Sequence, residues 1–278
     1  HLSCPILKIS TAYPFPEPLA LEFLSELKQV LVFEELDPVV EKELLLLCGR
    51  EKCPSVILGK LTGHNVPAGE NSAEAVKQSL RAFLHLEQPE RSFPAPPSLP
   101  VRPPVLCAGC PHRAAFYAVK KAMAGRKAVF AGDIGCYTLG NAQPLDMVDT
   151  CLCMGADVTI AQGLHRVEPD TVHFSFIGDS TFFASGITGV INAAYNETDL
   201  VLVVLDNSTT AMTGHQPHPG TGVTMMGEVA QKISIRKILE AIGATVYEAD
   251  PLCLDEAIET VRRAADGTGV RAILFRSP

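Results

Sequence analysis

Residues 172–207 read VHFSFIGDSTFFASGITGVINAAYNETDLVLVVLDN. Val172 to Ile177 has the apolar run of a buried strand, Thr181 to Tyr195 predicts a helix, and Leu200 to Leu205 is a second buried strand. Strand, helix and strand in so short a span make a βαβ crossover, right-handed because twisted strands favour that hand. The crossover brings Asp179 and Asn207 to the carboxyl ends of neighbouring parallel strands, the edge where such sheets bind ligands. Gly178 lets backbone approach a ligand closely. The helix after Ser180 turns free N–H groups toward an anion. Asp179 offers a carboxylate oxygen and Asn207 an amide oxygen, hard donors that Mg²⁺ accepts beside phosphate and water. A Gly-Asp pair at a strand end is by itself more often a turn than a metal site. The strand context and the spaced Asp206-Asn207 turn it into a magnesium and diphosphate anchor.

The same alternation extends in both directions. After residue 104, helices are expected over Ala114 to Ala124, Met154 to Leu164, Ile235 to Ile242 (stopped by Gly243) and Asp255 to Ala265. Strands are expected at Ala128 to Gly132, Thr245 to Glu248 and Ala272 to Phe275. Near the start, Ile6 to Ile9, Val30 to Phe33 and Ser55 to Leu58 read as strands, and Glu17 to Leu27, Val39 to Gly49 and Ser72 to Leu86 as helices. Between these halves lies QPERSFPAPPSLPVRPP, Gln88 to Pro104, which cannot continue a helix or a central strand. The fold class is therefore α/β: two open, mostly parallel domains over 1–87 and 105–278, joined by a Pro-rich linker over 88–104.

Length and charge narrow the function. A chain of 278 residues with 47% apolar side chains can bury two sizeable cores. A net charge of −8 argues against a nucleic-acid groove. No apolar run approaches the roughly 18 residues that span a bilayer. The start, His1-Leu2-Ser3-Cys4-Pro5, lacks both an initiator Met and the basic-then-apolar pattern of a signal peptide, so it is expected to be the middle of a longer protein. Nine cysteines in a chain of this size point to a reducing, cytoplasmic compartment rather than a disulfide scaffold.

Several other residues carry possible chemistry. Cys107-x-x-Cys110 and Cys136 are open to zinc, redox and iron–sulfur readings. His215 and His218 sit in a Gly- and Pro-rich loop after Asn207; contact with substrate or diphosphate is expected of His215 and a structural role of His218. Gly132-Asp133-Ile134-Gly135 ends a strand and either lines a cofactor or caps the next segment. Met154-Gly155-Ala156 either opens a helix under a diphosphate or packs tightly. His112 is a candidate supporting group beside the CxxC. His165 and His173 read as structural, and Glu34-Glu35-Leu36-Asp37 as a solvated strand end.

Gly178-Asp179-Ser180, twenty-five residues and then Asp206-Asn207 resembles the thiamine-diphosphate signature, a Gly-Asp-Gly followed at that spacing by Asn-Asn. Ser180 and Asp206 depart from its commonest letters, and neither departure removes a metal-binding side chain. DNSTTAMTGHQPHPGTG (206–222), CAGCPHR (107–113), GDIGCYTLG (132–140) and CMGAD (153–157) are similar to the 2-oxoacid:ferredoxin oxidoreductases, closely to the large (alpha) subunit of their indolepyruvate branch. YPFPEPLALEFL (13–24), VFEELDPVVE (32–41) and GKLTGHNVPAGE (59–70) resemble its preceding domain.

That resemblance implies a transketolase C-terminal-like linking domain, then a thiamin diphosphate-binding domain of the pyrophosphate type. It implies that Asp179, Asn207 and the Thr209 carbonyl hold Mg²⁺. Gly132, Asp133, Ile134, Cys136, Met154, Gly155, Gly178, Ser180 and Thr210 would line the cofactor. Cys107, Cys110 and Cys136 would bind a [4Fe–4S] cluster, its fourth ligand falling just past Pro278 or else being Cys151 or Cys153. The implied reaction is oxidative decarboxylation of aryl pyruvates such as indolepyruvate to aryl-acetyl-CoA, with coenzyme A, ferredoxin and a beta subunit as partners. The Glu that activates the cofactor belongs to a pyrimidine-binding domain, and the family's dense Cys motifs to a ferredoxin-like domain. Neither is read in these residues, so the chain is expected to be inactive alone. Two other functions stay open: a non-oxidative decarboxylase or synthase, which needs no CxxC or Cys136, and a non-catalytic cofactor-binding module.

Overall fold

The computed structural model describes residues 4–87 and 97–277. The chain divides into two compact units, His1–Leu99 and Pro100–Pro278. Of the Pro-rich run expected as a linker, 88–96 lie outside the described residues and 97–104 form neither helix nor strand.

The first unit contains helix α1 (Glu17–Leu24), strand β1 (Gln29–Leu31), helix α2 (Val39–Glu51), strand β2 (Val56–Leu58) and helix α3 (Ala73–Phe83). β1 and β2 pair in parallel, with Gln29 opposite Val56 and Leu31 opposite Leu58. Ala20, Leu24, Leu44, Leu47 and Ile57 form the core beneath them. Ile6 to Ile9, expected as a strand, is not one, and Ile6 is 86% exposed. Alternating apolar residues make a strand only where a neighbouring edge takes up their N–H and C=O groups, and no strand pairs with this segment among the described residues. Glu34, expected at a solvated strand end, instead caps α2. Its carboxylate accepts the N–H groups of Val40 and Glu41 at 2.8 and 2.9 Å, two donors that the first turn of a helix leaves unpaired.

The second unit is built on a six-stranded sheet in the order β4-β3-β5-β6-β8-β7, parallel throughout. Its strands are β3 (Ala128–Gly132), β4 (Thr150–Cys151), β5 (Val172–Gly178), β6 (Leu200–Asp206), β7 (Thr245–Ala249) and β8 (Val270–Arg276). Its helices are α4 (Pro111–Ala122), α5 (Ala156–Val167), α6 (Asp179–Thr181), α7 (Ile187–Tyr195), α8 (Ile235–Ile242) and α9 (Leu254–Ala265). A 3₁₀ turn covers Cys136–Asn141 and a π-helical turn, Phe182–Gly186, joins α6 to α7. β5 and β6 are central and buried on both faces, β6 wholly apolar from Leu200 to Leu205 and β5 apolar except for His173 and Ser175. On one face Phe174 and Phe176 pack with Phe116, Val119 and Val261. On the other Ile177 packs with Val158, Phe182, Val190 and Leu239.

Local chemistry moves the helix boundaries from those expected. α4 starts at Pro111, three residues early, because proline suits a first turn. α5 starts at Ala156 because Gly155 turns the chain at φ 82°, a left-handed conformation that glycine adopts freely. No helix among the described residues is long and apolar enough to cross a membrane.

Asp157, in the first turn of α5, is fully buried. Burial pushes its carboxyl up to about 7, and the Ser175 hydroxyl, which donates to Oδ2, works against that rise. Its Oδ1 has no hydrogen-bond partner among the described residues. An acid with a raised folded-state pKa holds its proton more tightly folded than unfolded. The stability it contributes is full below about pH 4 and is lost as pH climbs to about 7. The thermal midpoint of Asp157→Asn should therefore rise relative to wild type between pH 5 and pH 8. Parallel pH profiles for the two proteins would contradict this reading.

Candidate functional site

Because the sheet is parallel, the carboxyl ends of β3, β5, β6 and β8 share one edge. Gly178 pairs with Leu205 across β5 and β6, so Asp179 and Asp206-Asn207 emerge side by side. Asp179 is 2% exposed. Its Oδ1 accepts the Ser180 N–H at 2.8 Å, and its Oδ2 lies 3.1 Å from His218 Nε2. Asp206 Oδ1 accepts the Ser208 N–H at 3.1 Å, and Arg276 Nε lies 3.3 Å from Oδ2. Burial raises the Asp206 carboxyl, and the negative charge of Asp179 and contact with its carboxyl add to the rise; Arg276 opposes it. Two acids crowded at one buried edge form a place where a cation is favoured. The Asn207 side chain has no partner among the described residues.

The loop after Asn207 folds back on itself. Thr210 N–H donates to the Gln216 carbonyl at 3.1 Å. His215, the expected contact, is exposed at φ 59° and has no partner among the described residues. His218, expected to be structural, is the histidine that reaches Asp179. A cleft of about 490 Å³ opens beside it, lined by Ser180, Phe183, His218, Val223 and Ile233 among others. Thr209 and Thr210 sit at the start of the loop, both partly buried.

The strand end at Gly132-Asp133 is committed differently. Asp133 is fully buried. Its Oδ1 accepts from Ile134 N at 2.7 Å and Gly155 N at 2.9 Å, and its Oδ2 from the Tyr137 hydroxyl at 2.8 Å. Asp133 thus ties the end of β3 to the start of α5, the capping alternative. Tyr137 Oη also lies 3.3 Å from Thr181 Oγ1. A Cβ at Gly135 or Gly178 would come within 2.5 or 2.7 Å of the Tyr137 ring. Both glycines make room for that ring. Ile134 and Met154 are exposed at 40% and 50%. In the sequence Tyr137 is marked only by Gly135, two residues before it, and by the distant Gly178. His112 is buried edge-on to Tyr137, with ring centroids 5.8 Å apart. Burial lowers its pKa, and Asp179 opposes that shift.

All nine cysteines are free. Cys110 precedes α4 and Cys136 opens the 3₁₀ turn. Burial raises the Cys136 thiol, and Cys110 and Cys107 raise it further. As they stand, no three His, Cys, Asp or Glu side chains among the described residues converge to hold a metal ion. Cys151 Sγ points at the Asp133 carbonyl, 3.8 Å away, and it is not among the groups acting on Cys136.

Replacing Tyr137 with Phe leaves Asp133 Oδ2 buried without its donor. That change should cost about 1–3 kcal/mol, read as a fall in the denaturant midpoint. An unchanged midpoint would show that the hydroxyl does not hold this edge together.

Comparison with known proteins agrees with this geometry. Residues 133–274 match the family described as thiamine pyrophosphate enzyme, C-terminal TPP binding domain. The chain is 42% identical over its whole length to the indolepyruvate oxidoreductase subunit IorA of Methanothermobacter thermautotrophicus, covering 46% of that protein. It is 44% identical to the IorA subunit of Methanothermobacter marburgensis, again over all of this chain and 46% of the relative. The IorA subunit of Archaeoglobus fulgidus is 39% identical, over all of this chain and 45% of that protein. The chain therefore spans about half the length of the curated relatives it matches. A solved 2-oxoglutarate:ferredoxin oxidoreductase from Magnetococcus marinus shares the fold, with a TM-score of 0.54 at 22% identity over 63% of this chain and 64% of that one. The family match over residues 133–274 and the identities along the whole chain identify it as a member of the thiamine pyrophosphate enzymes carrying their C-terminal TPP binding domain, with its similarity running to the indolepyruvate oxidoreductase IorA subunits.

Proposed function

We propose that this chain supplies the magnesium- and diphosphate-binding half of a thiamine diphosphate site, in an enzyme that oxidatively decarboxylates aryl pyruvates such as indolepyruvate. The carrying observation is the placement of Asp179 beside Asp206-Asn207 by the β5–β6 pairing. Asp179, Asn207 and the Thr209 carbonyl form an all-oxygen donor set of the kind Mg²⁺ takes. The crowding of the Asp179 and Asp206 carboxyls is offset by a dication held there. Bound at this edge, thiamine diphosphate supplies the electron sink for decarboxylation.

The chain's own part is to bind and orient. Asp179 and Asn207 fix the metal end. The partly buried Ser180 and Thr210 flank it, and the exposed His215 is free to meet substrate. Gly155 N–H is taken by Asp133, so the start of α5 supports β3, and Gly132, Asp133, Ile134 and Met154 act as the wall of the site. Cys107, Cys110 and Cys136 are three ligands of a [4Fe–4S] cluster; Cys136, next to Tyr137, joins cluster and cofactor wall. A fourth ligand is required, either from residues beyond Pro278 or from Cys151 or Cys153. Cys107, Cys110 and Cys136 have to draw together to bind the cluster, since no three such side chains converge among the described residues. Ferredoxin as electron acceptor, coenzyme A as acyl acceptor and a beta subunit complete the reading. The CxxC at Cys107 and Cys110 and the Cys136 of the same unit, which a non-oxidative decarboxylase or synthase does not need, support this oxidative reading.

Calorimetric titration with Mg²⁺ and thiamine diphosphate tests the anchor. Asp179→Ala should bind at least about 100-fold more weakly than wild type, the upper end of what losing even an indirect partner costs. Equal binding would sink the metal assignment. Iron and sulfide analysis of the full-length protein tests the cluster. Cys136→Ser should lower both against wild type, and a wild-type protein without iron and sulfide would favour the non-oxidative reading.

A further inference from the structure

His218 is held more firmly than a loop histidine needs to be. It is 8% exposed in an otherwise open loop. Nδ1 accepts the Gly220 N–H at 3.2 Å. The proton of a neutral ring therefore sits on Nε2, which donates to Asp179 Oδ2 at 3.1 Å. The ring stacks on Phe183, with centroids 5.8 Å apart and planes at 30°. Residue 220 is glycine where a Cβ would press to 3.0 Å from the imidazole and 3.1 Å from Phe183. The segment around the ring is pinned too: Thr221 Oγ1 donates to the His218 carbonyl at 2.8 Å, and Ile233 N–H to the Pro219 carbonyl at 3.0 Å. Both ring nitrogens are engaged, so the imidazole is not a free base. Its one polar side-chain partner is the carboxylate at the end of β5.

We propose that His218 is a positioning residue: its Nε2–H fixes the rotamer of the Asp179 carboxylate, and in doing so ties the loop that carries Asn207 and Thr209 to the end of β5. The inference rests on the reading of Asp179 as the magnesium anchor and extends it to a residue that touches neither metal nor cofactor. Asp179 stands at a strand end and Asn207 and Thr209 at the near end of the loop, while His218 grips from the far end. One hydrogen bond thereby closes a ring of chain around the ligand set. A carboxylate oxygen accepting Nε2–H keeps a lone pair free for a cation. Partners of this kind orient metal ligands, and their loss lowers metal affinity about 10–100-fold.

The test compares His218→Ala and His218→Gln with wild type, by calorimetry with Mg²⁺ and thiamine diphosphate. Gln places an N–H near the position of Nε2. His218→Ala should bind about 10–100-fold more weakly, and His218→Gln should return to within about threefold of wild type. A role in packing alone would weaken both variants alike, because Gln does not stack on Phe183. Nitrogen-15 spectra of the wild-type imidazole supply a second readout that needs no variant to fold: a protonated Nε2 with an unprotonated Nδ1. Wild-type binding with His218→Ala unchanged, or an Nδ1–H tautomer, overturns the role of His218 and leaves the anchor standing. Failure of wild type to bind Mg²⁺ and thiamine diphosphate overturns the anchor itself, and the role of His218 with it.

Discussion

The parallel pairing of β5 with β6 decides where everything else in the second unit sits. With Gly178 opposite Leu205, the next residues of each strand must emerge together at one buried edge. That register forces two carboxyls, Asp179 and Asp206, into each other's field. Like charges in a poorly solvated place disfavour ionisation, and the surroundings are arranged to offset this. The Ser180 and Ser208 N–H groups, His218 and Arg276 all turn positive or donor atoms toward the pair. The strands cannot relax apart, because both are packed on each face by apolar side chains. A rigid frame thus holds an electrostatically unfavourable arrangement, one that the proposed cation would relieve.

Tyr137 is the second constraint. Its ring fills the space above Gly135 and Gly178, and its hydroxyl reaches Asp133 and Thr181. The Gly-Asp pair at the end of β5 therefore answers two demands: room for an aromatic ring behind the strand end and a carboxylate in front of it. The same ring lies against His112, two residues after Cys110. The cysteine-bearing segment and the end of β5 are thereby packed on one side chain. This gives the thiols and the proposed cofactor edge a common support.

Much of the fold was legible because buried parallel strands are written as mostly apolar runs, unbroken over Leu200 to Leu205 and interrupted only by His173 and Ser175 over Val172 to Ile177. Val172 to Ile177 and Leu200 to Leu205 have no other comfortable place than the middle of a covered sheet. What stayed hidden depends on partners distant in sequence. β4 is two residues long and exists only as an edge pairing with β3. Ile6 to Ile9 carries an apolar alternation but has no strand beside it among the described residues. Glu34 looked solvated because the helix it caps begins several residues later. In the site, Asp179 and Asn207 stood out by spacing alone. His215 and His218 were indistinguishable as letters in a loop; the loop's own hydrogen bonds and Phe183 determine which one turns inward. Asp133 was open to two roles as a letter, and its three donors became visible only in the fold.

The central claim is that Asp179 and Asn207 together hold a divalent cation that carries a diphosphate. Its most direct measurement is the anomalous scattering of a crystal grown with Mn²⁺, a substitute for Mg²⁺, and thiamine diphosphate. The account predicts one manganese peak at the ends of β5 and β6, about 2.0–2.1 Å from a carboxylate oxygen of Asp179, the amide oxygen of Asn207 and the Thr209 carbonyl, with diphosphate oxygens and water in the remaining positions. A peak elsewhere, or a diphosphate bound at this edge with no metal between it and Asp179, would contradict it.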